Sequence, residues 1–258
     1  MTLFHVAATH ARITRRRVWL WFAIVSLTAL GALLAFISPG APHTGGTPDL
    51  AFTGQVIALF CGAAYAAAFT DFFASASRRS MDEIEASTPA APLTRHAALV
   101  LGTLGIVLVP SAVVLMGTGL AQTVAGHGTA VLAAIAVLVT IVLPSALVAT
   151  CLSALLGAVL PHGAARVVAV LLWFGAVFST PLVPLPTLNG TVLNLVGDTV
   201  AAGFFGASPL YPRYDSTGPL GLDATTPPAA VLSLVWQAVL IMLLLAAGSS
   251  LARARARS

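Results

Sequence analysis

The stretch RRRVWLWFAIVSLTALGALLAFI, residues 15–37, sets three arginines against twenty consecutive residues that carry no charge. A hydrocarbon layer is roughly 30 Å thick and needs about 20 helical residues to cross it. The run from Val18 to Ile37 meets that length, and the arginines before it mark the side on which it begins. An arginine-led apolar run also opens secretory signals. This one is too long, lacks a convincing small-residue cleavage site and is followed by further apolar blocks, so it reads as an uncleaved anchor.

Working outward, the remaining sequence repeats the pattern. The 258 residues are 58% hydrophobic and 8% charged, far from the roughly 25% charge of ordinary soluble domains. Five more blocks have spanning length, near Ala51 to Phe73, His96 to Met116, Thr129 to Leu156, Val167 to Leu185 and Ala230 to Leu251. Backbone groups inside lipid must bond within their own segment, and the strict polar–apolar alternation of a barrel strand is missing. The expected fold class is all-α, a polytopic protein of six transmembrane helices. Pro110 and Pro144 fall inside the third and fourth blocks, where each removes a helix bond and favours a kink.

Arginine orients the bundle, because the chain has no lysine. Arg12, Arg15, Arg16, Arg17, Arg78, Arg79, Arg95, Arg166, Arg253, Arg255 and Arg257 flank the ends that six spans bring to one side, and Arg213 alone falls opposite. The positive-inside rule then makes both termini cytoplasmic, in a bacterial cytoplasmic membrane. The net charge of +4 reflects this topology and contact with anionic lipid, not nucleic-acid binding. The chain divides into a cytoplasmic amphipathic segment (1–17), a transmembrane region (18–251) and a basic tail (252–258). In the first, Leu3, Phe4, Ala7, Ala8 and Ala11 recur at helical spacing.

Between the fifth and sixth spans lies a long insertion, 186–229, that exceeds an idle turn. Its middle, Thr191 to Phe205, is apolar enough for a helix and too short to cross a bilayer, so a re-entrant helical hairpin fits. On such a helix Asn194 and Asp198 share a face. They are candidates for an outer gate, or simply a polar face turned to headgroups or water. Gln237, inside the last span, needs a partner for its amide and should face another helix or a wet cavity. Phe69, Phe72, Trp173 and Phe178, on the second and fifth spans, are candidate pathway residues with Gln237, although core packing would also account for them. Cys61 and Cys151 have no pairing or metal spacing and read as small packing residues.

The usual membrane chemistries are excluded by what is missing. There is no His-Glu-x-x-His, no Gly-x-Ser-x-Gly and no carboxylate pair within a span. The six histidines are scattered without ligand spacing. A P-loop needs a lysine that this chain does not have. The chain is therefore expected to be no enzyme and to bind no cofactor itself.

Between the second and third spans the composition inverts. The segment SRRSMDEIEASTPAAPLTR, 77–95, holds six charged residues. Met81, Ile84 and Ala86 share one side of a short helix and Asp82, Glu83 and Glu85 occupy much of the rest, with Ser87-Thr88-Pro89 as the stop. Acids disfavour adhesion to a negative leaflet and suit docking on a soluble partner.

With an acidic helix, then Thr88, Pro89, Arg95 and Gly102 leading into the third span, the chain resembles the ABC type-2 permeases, six-helix membrane subunits of type V ATP-binding-cassette exporters. The amino-terminal amphipathic segment and the long insertion before the last span extend the likeness over nearly the whole chain. Thr103 stands where the family often has lysine. The resemblance implies a coupling helix at 79–87, with Arg79, Asp82, Glu83, Ile84, Glu85, Thr88 and Pro89 at the contact with a separate cytoplasmic ATPase. It further implies a second permease subunit, ATP and Mg held by the ATPase, and export; the near-chargeless bundle suits hydrophobic or amphiphilic cargo. A non-transporting membrane anchor or assembly subunit, or an ion-coupled secondary carrier, would have similar spans. A carrier should bury ionisable residues near the midplane, and none is evident in the sequence.

Overall fold

The computed structural model describes residues 3–72, 92–177, 188, 191–208, 210 and 225–257. Among these every regular element is helical. In chain order they are α1 (Leu3–Arg15), α2 (Val18–Ile37), α3 (Thr47–Ala68), α4 (Pro92–Val107), α5 (Val109–Val124), α6 (Ala130–Val137), α7 (Leu143–Val159), α8 (His162–Val177), α9 (Asp198–Phe205) and α10 (Pro227–Arg257).

Four described helices are long and apolar enough to cross a membrane: Val18–Ile37, Thr47–Ala68, Ala130–Val159 and Pro227–Leu251. The pair His96–Val107 and Val109–Val124, bent by 47°, makes a fifth if it counts as one span. The molecule is thus an all-helical, multi-pass membrane protein. The first expected span coincides with α2. The block expected to end at Leu185 appears as the 16-residue α8, and residues 178–187 lie outside the described residues.

The two prolines act differently. At Pro110, in the first turn of α5, the chain bends, because the ring cannot donate and crowds the preceding turn. Pro144 produces no comparable break. Residues Leu138–Val142 widen into a π-helical turn just before it, joining α6 to α7 in a single 30-residue span. Such a turn relieves the clash by shifting the bonding register rather than the helix axis. The expected kink is therefore replaced by a bulge.

Helix α3 is the hub: 72% of its apolar window is buried, against 22% for α2. Pro48 in its first turn and Asp49, whose carboxylate accepts the Gly45 N–H, start it where a negative charge is favoured. Its neighbours then bond to it directly. Thr28 of α2 meets Cys61 at 3.2 Å. Ser153 of α7 donates to the Ala66 carbonyl at 2.6 Å, and Trp173 of α8 donates to the Leu59 carbonyl at 3.0 Å. Side-chain donors and small contact residues hold helices together where lipid supplies no hydrophobic drive. The Trp173 ring lies against Gly62, where a Cβ would overlap the indole. Helix α10 runs unbroken for 31 residues, about 45 Å at 1.5 Å per residue, packing on α7, α9 and α4.

Candidate functional site

Two constructions at opposite ends of α3 position the polar residues. The first is a buried knot around the insertion. Residues 191–197 are not helical; α9 begins only at Asp198, after Gly197 takes a left-handed φ of 80°. A Cβ at Gly197 would also stand 3.0 Å from Ile141, so the turn requires glycine on both counts. This corrects the expectation of a helix from Thr191. Asn194 and Asp198 meet through a turn instead of along a helical face.

In that turn the Asn194 side-chain oxygen accepts the Val196 and Asp198 N–H groups, at 2.8 and 3.3 Å, and its amide donates to Asp198 Oδ2 at 2.9 Å. Asp198 Oδ1 accepts Gln55 Nε2 at 2.7 Å and the Leu210 N–H at 3.4 Å. Gln237 Nε2 donates to the Asn194 carbonyl at 3.0 Å, and the Ser145 hydroxyl to the Leu195 carbonyl at 2.6 Å. Elements α3, α7, α9 and α10 thus close on one carboxylate–amide pair. Irregular backbone at this depth is tolerated because protein surrounds it.

The knot is dry. Asn194 is 0% exposed and Asp198 3%, so a polar face turned to headgroups or water is ruled out for both. Gln55 stands eight residues into α3, about 12 Å along its axis at 1.5 Å per residue. An ionisable group is therefore buried inside the bundle, contrary to what the sequence indicated. The side-chain oxygens of Gln55 and Gln237 accept no hydrogen bond among the described residues.

The second construction is a clasp between α1 and α4. Ala7, His10, Ala11 and Thr14 form the inner face of α1 at helical spacing, with Thr14 buried. Thr14 lies 3.4 Å from Thr103, hydroxyl to hydroxyl, and a Cβ at Gly102 would stand 2.3 Å from the Ala7 carbonyl oxygen. Only glycine lets the two backbones approach so closely. The amphipathic segment is thus a helix as expected, but it packs on protein along this face. Burial there pushes His10 below its ordinary value of 6.5.

Among the expected pathway residues, Phe69 and Trp173 are enclosed in the core and Phe72 is buried beside Phe69, ring centroids 4.6 Å apart. Trp173 serves as the bolt between α8 and α3. Phe178 and the expected coupling residues Arg79, Asp82, Glu83, Ile84, Glu85, Thr88 and Pro89 lie outside the described residues. Asn194, Asp198 and Gln237 are brought together; Gln55 and Ser145 join them without having been singled out as site residues. Their signal was a buried amide and hydroxyl in apolar spans, each in need of a partner. Among the described residues no three His, Cys, Asp or Glu side chains gather to hold a metal, and both cysteines are free and buried. No family model matches the chain, and no curated protein matches it.

Proposed function

We propose that the chain is the permease subunit of an ATP-binding-cassette exporter, with six spans, both termini in the cytoplasm and a hydrophobic or amphiphilic cargo. In this reading a separate ATPase docks on residues 79–87 and drives the bundle between inward- and outward-facing states, paired with a second permease subunit. The insertion 186–229 forms the outer gate and the knot around Asp198 is its latch.

The observation that carries the reading is the clasp. The acidic segment precedes α4 in the sequence by only a few residues, and α4 is locked to α1 by backbone contact at Gly102 and Ala7. A push on that segment would therefore move two elements as one body, as a lever requires. The test compares recovery of a cytoplasmic ATP-binding-cassette ATPase with the wild-type chain and with the variant Asp82→Lys, Glu83→Lys, Glu85→Lys. Recovery falls by about tenfold or more while membrane insertion holds, since like charge replaces complementary charge at the contact. Equal recovery and equal transport sink the reading.

A second reading draws on the buried Asp198, which is the kind of group an ion-coupled carrier uses. Uptake by vesicles holding the purified chain, with an imposed pH gradient and no ATPase, would favour the carrier; its dependence on ATPase and ATP would favour the exporter.

A further inference from the structure

At the arginine-bearing end, α2 and α3 part around a cavity of about 930 Å³. That is the size of sites that hold small amphiphilic molecules, roughly 300–1,000 Å³. Its composition is divided along its length. Arg16 and Arg17 stand at one side of the mouth, on the corner between α1 and α2, and Arg166 stands there from the first turns of α8. The interior is apolar: Leu20 and Leu27 on α2 face four alanines, Ala63, Ala64, Ala67 and Ala68, on α3.

Each half has an identifiable cause. The corner is fixed by Arg16 and Arg17 N–H bonds to the Ile13 and Thr14 carbonyls, both 3.1 Å, and by the Trp21 indole donating to the Arg15 carbonyl at 3.2 Å. The guanidinium groups are thus presented by a built turn. The space exists because α3 offers methyl groups where larger side chains would fill it. Among the described residues no acid lines the cavity and none of the three arginines is in an ion pair. Trp19, 84% exposed on the rim, has the placement of an interfacial aromatic anchor.

We propose that this cavity binds one anionic phospholipid from the leaflet at the arginine end. The phosphate sits among Arg16, Arg17 and Arg166, and one acyl chain lies between Leu27 of α2 and the alanines of α3. Three positive charges, with no acid beside them among the described residues, select a net-negative headgroup, and the apolar interior takes the chain. The site needs no ATPase and no transport, so it stands or falls separately from the permease reading.

The test reconstitutes the full chain, without any ATPase, in vesicles of equal parts phosphatidylglycerol and phosphatidylcholine. Native mass spectrometry after detergent extraction then counts retained lipid. One phosphatidylglycerol is retained in preference to phosphatidylcholine. The variant Arg16→Gln, Arg17→Gln, Arg166→Gln retains it roughly 100-fold less well, at about fivefold per charge. Arg16→Lys, Arg17→Lys, Arg166→Lys keeps most of it, and Ala67→Phe, which fills the interior with the arginines intact, expels it. Equal retention of the two lipids, wild-type retention by the glutamine variant, displacement by inorganic phosphate, or a lipid-free dimer covering the cavity would each overturn the site. If the glutamine variant does not insert, undiminished retention by Ala67→Phe overturns it alone.

Discussion

The two ends of α3 hold the bundle by opposite means. At the insertion end, four elements close on Asn194 and Asp198 through directional bonds, with the polar groups removed from solvent. At the arginine end, charges stay exposed and the contacts depend on small residues, as at Gly102 against Ala7 and in the alanine row of α3. A network of buried bonds has few geometries that satisfy it and resists partial opening. Contacts between small residues forfeit little when helices shift. The first end is built to stay shut until it opens as a unit, and the second to admit, tilt and adjust.

The sharpest way to break this contrast is Asp198→Ala. It strips the acceptor from Gln55, Asn194 and the Leu210 N–H at once, and should cost about 3 kcal/mol of stability in detergent, since hydrogen bonds contribute roughly 1 kcal/mol each. A loss under about 1 kcal/mol would show that the knot does not hold that end. Next in size is Gly102→Leu, whose side chain cannot fit against the Ala7 backbone. It should cost about 1–3 kcal/mol, the usual range for overpacking. Amide exchange would rise in α1 and stay unchanged around Asn194, because distant sites act independently. Exchange rising at both ends would mean that the ends are coupled.

The smallest effect is a pH dependence confined to the arginine end. Burial lowers His10 below 6.5, so the docked state of α1 favours the neutral ring. The contribution is complete above 6.5, the value when α1 is free, and is lost as pH falls below it toward the depressed value. Protection of α1 amides, taken relative to their intrinsic exchange rates at each pH, should therefore fall as pH drops below 6.5, with His10→Gln showing no such fall and the Asp198 knot serving as the internal reference.

Much of the arginine end was legible in the sequence. Unbroken apolar length defined α2, and the helical spacing of Ala7 and Ala11 indicated α1. These are local patterns, and hydropathy reads local patterns well. The knot was not legible, because its bonds join residues far apart in the chain: Gln55 to Asp198 across 143 positions, Asn194 to Gln237 across 43. Helical periodicity was extended over residues 191–197, where Asn194 instead folds its side chain back onto the backbone. What the sequence did show was demand: Gln237 sits in an apolar span and must find a partner. The supply, an amide and an acid in the insertion, was visible too, and only the pairing was missing. Pro144 misled in a similar way, since a proline fixes the need for relief but not whether a bend or a π turn provides it.

The unbroken α10 joins the two ends in another respect. It carries Gln237, bonded to the Asn194 carbonyl, and continues without interruption to Arg257. A stiff shaft of that kind has no joint at which to absorb a tilt. At about 45 Å it is longer than a hydrocarbon layer of roughly 30 Å, so it must either tilt or carry about 15 Å of helix, ending at Arg257, into the headgroups.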